Sequence, residues 1–211
     1  LWQHDLMGRA MNDYHRYVLE GKFEEMYQEC DDPWHASYED YKDSACSLAA
    51  RHFYFTTAPA LPLTSLGCGT GRHLAWFSLW DLDVQGVDIS PTAIARARQW
   101  CEWQSWEFLT SSIIDFFRYN ATHTGTFLFR EVLWYILPDW AEIVDILKAK
   151  HQGALVIVEL SFYDDQKYGL DYFNGPDDFI AKWPFTIEKI VREHTTKPQR
   201  EGRIMVAGRV P

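Results

Sequence analysis

The sequence predicts an α/β protein: a doubly wound sheet of seven strands, finished by an antiparallel hairpin and preceded by an N-terminal helical extension. Three observations predict it. From residue 61 onward, short apolar runs alternate with helical stretches at the spacing of parallel strands and their crossovers. A glycine-rich turn, Gly67-Cys68-Gly69-Thr70-Gly71, separates the first run from the helix after it. The last two apolar runs have no helix between them, which makes them antiparallel neighbours.

The elements follow in order. Met7 to Phe23 carries Met7, Met11, Tyr14, Val18 and Leu19 near the helical period. Cys30-Asp31-Asp32-Pro33-Trp34 breaks it as a loop. Tyr38 to Phe55 reads as a second helix, with Tyr41, Ala45, Leu48, Ala49 and Phe53 on one face. Pro59 and Pro62 then mark a change, and the chain divides into an extension and lid over 1–58 and an α/β domain over 59–211. Leu61 to Leu66 is the first strand, Gly69 to Leu79 a helix, and Val84 to Val87 a second strand ending at Asp88. Ser90 is a suitable N-cap and Pro91 a suitable first residue for the next helix, which carries Ile94, Ala97 and Cys101. Trp106 to Leu109 and Thr126 to Arg130 are strands. Trp140 to Lys150 is a helix closed by Gly153, and Ala154 to Glu159 reads as a central strand. Phe185 to Glu193 and Arg203 to Val210 form the hairpin.

Composition narrows the function classes. With 47% hydrophobic and 16% aromatic residues, the 211-residue chain has the material for one sizeable core and not for disorder. The formal charge of −10 opposes nucleic acid and anionic membranes. The closest basic cluster, Lys189, Arg192, Lys197, Arg200 and Arg203, is interrupted by acidic and neutral residues and reads as a solvated face. Cys30, Cys46, Cys68 and Cys101 show neither CxxC pairing nor zinc spacing, so reduced thiols and no metal are expected. No apolar run reaches the ~18 residues of a membrane span, and no signal peptide is read, so a cytoplasmic location is the expectation.

The glycine turn carries the chemistry. Glycines allow a tight turn and let a ligand approach the backbone. Asp88 lies 21 residues after Gly67, at the end of the second strand, where a carboxylate accepts from ribose hydroxyls. A dinucleotide fingerprint would place a third glycine where Arg72 stands. The G-x-G-x-G spacing instead resembles the glycine loop of class I S-adenosylmethionine (SAM) dependent methyltransferases, whose fold is a Rossmann-like sheet ending in an antiparallel hairpin. A nicotinamide or flavin dinucleotide, or a purely structural turn, are the competing readings.

Further segments resemble the same family. Trp106 to Phe116 is similar to its third-strand segment, which places Ser112 and Ile113 against adenine; the family commonly has Asp where Ser112 stands. Phe129 to Tyr135 resembles the fourth-strand segment beneath the methionine half of the cofactor, without the usual acidic residue early in that strand. Asp31-Asp32-Pro33-Trp34, Ile89 to Ala97 and Glu131 to Tyr135 resemble the bacterial nodulation-type N-methyltransferases, which methylate an amine on a sugar oligomer. That similarity spans roughly residues 25 to 145; the last 60 residues resemble nothing beyond the general fold. The resemblance implies SAM as cofactor and S-adenosylhomocysteine (SAH) as product. It implies cofactor contacts from Trp34, from the loop Leu66, Gly67, Cys68, Gly69, Thr70 and Gly71, and from His73 behind it. Asp88, Ile89, Ser112, Ile113, Arg130, Glu131 and Val132 complete that set.

Methyl transfer from a sulfonium is an in-line displacement, so the protein's main tasks are positioning and exclusion of water. A base is needed only for an acceptor that arrives protonated. Glu131, just after the fourth strand, is the first candidate; its alternative is a carboxylate at a helix start. Arg130 would pair with a substrate acid, or with Glu131 or Asp115. Tyr27, Trp34 and His35 lie in the segment that lids this fold, with Tyr27 and His35 as further catalytic candidates and His35 more often structural. Trp134 and Tyr135 would line the acceptor pocket or pack the next helix. Tyr163, Tyr168 and Tyr172, among Asp164, Asp165, Asp171, Asp177 and Asp178, suit a cationic or polyhydroxyl acceptor, or form a solvated loop. No Asn-Pro-Pro-Tyr type sequence and no RNA-type nucleophilic Cys is present, so a small-molecule acceptor is expected. The reading is an N- or O-methyltransferase acting on a small molecule, with an aminosugar-like acceptor as the first choice. An O-methyltransferase on a phenol or carboxylate, and a SAM-binding protein without turnover, are the alternatives.

Overall fold

The computed structural model describes residues 16–34, 44–58, 62–77, 82–121, 125–163, 169–193 and 202–211. Helix α1 spans Phe23–Glu29 and α2 Ala45–Thr57. Strand β1 is Leu63–Leu66, followed by a 3-10 helix over Arg72–Phe77, β2 (Val84–Asp88), α3 (Pro91–Trp100) and β3 (Glu107–Thr110). A short α-turn, α4 (Ile113–Asp115), continues as one π-helical turn over Phe116–Asn120. Then come β4 (Thr126–Arg130), a 3-10 turn (Leu133–Tyr135), α5 (Leu137–Lys150), β5 (Leu155–Phe162), α6 (Pro176–Ala181), β6 (Thr186–Glu193) and β7 (Gly202–Arg209).

The seven strands form one sheet in the order β3-β2-β1-β4-β5-β7-β6. The first five run parallel; β7 is antiparallel to both β5 and β6. This is the doubly wound sheet with a terminal hairpin that the sequence predicts. The chain reverses winding direction between β1 and β4, and ligands of such sheets bind outside the strand C-termini at that switch point.

Two-residue alternation explains why both faces are covered. In β4, Phe127 and Phe129 point to one core with Trp140, Ile143 and Leu147 of α5. Leu128 points to the other, with Ala50 and Tyr54 of α2 and Ile94 and Ala97 of α3. β5 is buried along its whole length, as a continuous apolar run predicts for a central parallel strand. Ser90 caps α3 by accepting from Ala93 N, with Pro91 in the first turn.

Three local expectations shift. The helix after the glycine turn is a 3-10 helix starting at Arg72, later than the Gly69 expected. α1 stands as a helix of its own, ahead of the Cys30–Trp34 loop. α6 and the turn at Ile113–Asn120 fall where no helix was expected, because their periods are too short to register. Most of the Met7–Phe23 reading, the first part of the Tyr38–Phe55 helix, and Tyr168 lie outside the described residues.

Candidate active site

The glycine turn leaves the buried end of β1 at Leu66 and needs left-handed backbone at Gly67 (φ 66°) and Gly69 (φ 54°). Contacts forbid side chains at both positions. A Cβ on Gly67 would run into the Val132 side chain, and one on Gly69 would lie 2.7 Å from the Tyr27 hydroxyl. The loop is thus held between the segment after β4 on one side and α1 on the other. Cys68 inside it is buried, and desolvation holds its thiol well above the usual range. Burial likewise raises Cys46 to about 12 and Cys101 to about 11, so these thiols stay protonated at neutral pH.

Asp88 ends β2 and is 7% exposed. Its Oδ2 accepts from Gly69 N at 2.8 Å and its Oδ1 from Ser90 N at 2.9 Å. Burial raises its pKa; the N–H groups of Ser90, Gly69 and Ile89 act in the opposite direction. A carboxylate has about four acceptor positions, so Asp88 retains capacity for hydroxyl donors. Ile89 beside it is 52% exposed. An exposed large apolar side chain next to a buried carboxylate suits a ligand with a hydroxylated ring and a flat heterocycle.

Ser112 and Ile113 stand near the end of β3. Ile113 is buried. The Ser112 hydroxyl caps the next turn, accepting from Asp115 N at 3.2 Å and donating to Asp115 Oδ2 at 2.8 Å. Thr70 is buried within the loop. His73 sits on the α2 side of the sheet, its Nε2 2.9 Å from Ser65 Oγ. Burial, and secondarily the charge of Arg130, depress its pKa to about 3. Ala50, Arg51, Tyr54, His73, Arg130 and Glu159 line a cavity between α2 and the sheet.

Arg130 and Glu131 follow β4 with different fates. The Arg130 guanidinium turns into that cavity, with Nε 3.4 Å from the buried Glu159, whose Oε2 accepts from Ser47 Oγ at 2.6 Å. Glu131 is the one non-glycine residue with positive φ (54°) among the described residues. Its carboxylate accepts from Ser161 N (2.9 Å) and Ser161 Oγ (2.6 Å) and pairs with Arg203 Nε at 3.1 Å. It is held in place by three donors. Strained backbone of this kind persists only where surroundings over-determine it, and is frequent at functional sites.

The roof comes from the N-terminal segment. Tyr27 is 3% exposed; its hydroxyl accepts from Trp34 Nε1 at 2.9 Å. Desolvation, and secondarily the charge of Asp88, push its pKa well above the usual 10.0, so it stays a proton donor. The Tyr135 ring packs against Trp34 (5.7 Å) and Phe23 (5.4 Å). Trp134 packs inward on Phe162, with Nε1 donating to Ser161 O. The structure therefore brings together Tyr27, Trp34, the glycine loop, Asp88, Ile89, Val132 and Tyr135. His35 lies outside the described residues.

Sequence reasoning missed Glu24, Arg96, Ser161, Glu159 and Arg203. Glu159 had a signal, a carboxylate inside a mostly apolar strand; Glu24 and Arg96 had none, because the element each one fastens to lies far away along the chain.

Comparisons with known proteins agree with this geometry. Residues 64–150 match a family model described as a methyltransferase domain. No curated relative is similar in sequence. Among solved structures, the N-methyltransferase NodS from Bradyrhizobium japonicum WM9 in complex with SAH is similar over 96% of this chain and 98% of its own. The TM-score is 0.66 and the identity 15%. Magnesium protoporphyrin IX methyltransferase (ChlM) from Synechocystis PCC 6803 with bound SAM is similar over 77% of this chain and 81% of its own, with a TM-score of 0.55 and 18% identity. Residues 64–150, which hold the glycine loop and Asp88, thus carry a methyltransferase domain, and the chain has the fold of SAM-dependent methyltransferases such as NodS.

Proposed function

We propose that the protein transfers the methyl group of SAM to a nitrogen or oxygen of a small molecule, with an amine on a sugar as the first acceptor class. The observation that carries the reading is the buried Asp88 beside the left-handed glycine loop, roofed by Tyr27 and Trp34. Asp88 would take the ribose hydroxyls, and Ile89 and Ile113 would flank the adenine. Gly67, Gly69 and Val132 would face the methionine half, below Tyr27. SAM supplies an already activated methyl group. The chain's own task is to bind, align and exclude water.

The acceptor would enter over the ends of β4 and β5, beside Glu131 and Tyr135. Glu131 is placed to orient an amine or hydroxyl. To remove a proton it must first loosen its hold on Ser161 and Arg203. The resemblance of residues 25–145 to nodulation-type N-methyltransferases supports a sugar amine. The acidic, aromatic stretch after β5 also suits a polyhydroxyl cation. Residues 1–58 serve, in this reading, as extension and lid.

The test is a methyl-transfer assay that follows SAH release with amino sugars, their N-acetylated counterparts, phenols and carboxylates. Turnover with free amines alone supports the reading. Turnover confined to phenols or carboxylates replaces it with O-methylation.

A further inference from the structure

α1 has seven residues and no side-chain N-cap hydrogen bond, too little to stand as a helix by itself. It nevertheless carries Tyr27 to the glycine loop. Two charged groups fasten it to α3, against which it packs through Met26, Tyr27 and Ala93.

The first is Glu24. Its Oε2 accepts from Ser90 Oγ (2.5 Å) and Thr92 N (3.1 Å), and its Oε1 accepts from Thr92 Oγ1 (2.6 Å) and Gln28 Nε2 (2.8 Å). These four groups all donate to it. Ser90 Oγ in turn accepts from Ala93 N, so its hydroxyl proton is committed to Glu24. The second is Arg96. One guanidinium nitrogen donates to the carbonyls of Tyr27 (2.6 Å) and Cys30 (2.9 Å), and the other pairs with Asp31 at 2.8 Å. Glu24 and Tyr27 are three residues apart and share one face of α1. Ser90 and Thr92 follow directly on Asp88 and Ile89. The strand end that would hold the ribose is therefore tied to the helix that carries the roof.

We propose that Glu24 and Arg96 are positioning residues: they clamp α1 and the Cys30–Trp34 loop onto α3, and so fix the Tyr27 hydroxyl and Trp34 over the bound SAM or SAH. This rests on the cofactor reading above. The clamp explains how a helix too short to persist alone delivers a buried hydroxyl to within contact of Gly69. Neither residue touches the cofactor in this arrangement; each acts through Tyr27 and Trp34.

The experiment is calorimetric titration of SAH into the wild-type chain and into Asp88→Ala, Glu24→Gln, Arg96→Lys, Tyr27→Phe and the Glu24→Gln/Tyr27→Phe pair, with thermal melting of each. An amide at position 24 turns an N–H toward groups that already donate. A lysine at 96 cannot span two carbonyls and a carboxylate as a guanidinium does. We expect Glu24→Gln and Arg96→Lys each to weaken SAH about tenfold. We expect the double variant to be no weaker than the worse of its two parents, since residues acting as one unit are non-additive. Full additivity, or a lowered melting temperature with unchanged SAH affinity, makes the clamp merely structural and overturns the proposal. If Glu24→Gln does not fold, Arg96→Lys decides by the same criterion. Loss of binding in Asp88→Ala but not in the clamp variants rejects the clamp alone. Unchanged binding in Asp88→Ala as well removes the cofactor reading, and the clamp with it.

Discussion

At the scale of single residues, the site is defined by groups whose environment fixes their protonation. Asp88 meets backbone N–H donors in a buried setting and retains acceptor capacity. Replacing it with Ala should weaken SAH by about 1–3 kcal/mol, the range for a hydrogen bond to a charged group; calorimetry checks this. Gly69→Val should abolish binding in a folded protein, because the side chain would occupy the space of the Tyr27 hydroxyl and strain a backbone with φ of 54°. A circular dichroism spectrum alongside the titration separates loss of site from loss of fold. His73 gives a pH signature. Its folded pKa of about 3 lies below the usual 6.5, so the unfolded chain binds a proton that the folded one refuses. Its contribution is complete above pH 6.5 and is lost as pH falls toward 3. Between pH 7.5 and 5.5 this amounts to about 1 kcal/mol. Urea melts at the two pH values should show a smaller drop in His73→Gln than in the wild type.

At the scale of elements, ion pairs with at least one buried partner organise the C-terminal ends of β4 and β5 and the start of β7. Glu159 of β5 pairs with Arg130 of β4 and accepts from Ser47 of α2; Arg203 of β7 pairs with Glu131 and donates to Ser161. The pairs join three strands and a helix at the end of the sheet where the acceptor would enter. Removing one partner of a buried pair leaves an uncompensated charge, which costs about 3–5 kcal/mol. Glu159→Ala should destabilise the protein on that scale in urea unfolding. A cost below about 1 kcal/mol would mean that Arg130 finds another partner. α3 shows how legible a well-capped element is: Ser90 and Pro91 mark its start in sequence and in structure alike. α1 shows the converse, since what holds it, Glu24 against Ser90 and Thr92, is invisible to local propensity.

At the scale of the molecule, ligand and fold are coupled by mass action. At SAH concentrations of about 100 times Kd, stabilisation is about 2.7 kcal/mol. For a chain of this length that raises the melting temperature by about 5–10 °C, and NAD at the same concentration should leave it unchanged. A rise with NAD would contradict the glycine-loop reading that separates G-x-G-x-G from the dinucleotide fingerprint.

The sequence by itself determined the sheet, the terminal hairpin and the place of the glycine loop and its acid. Their signals are local: two-residue alternation, the spacing of glycines after a strand, an acid at a strand end, a cap before a proline. The tertiary structure decided where the side chains of the site went. Glu131 turned toward Ser161 and Arg203, Arg130 into the cavity under α2, and His73 against Ser65. It also brought Tyr27 onto Gly69. Each of these depends on a partner many residues away, chosen by packing and by the penalty on unpaired buried charge, and neither has a period that a linear pattern can display.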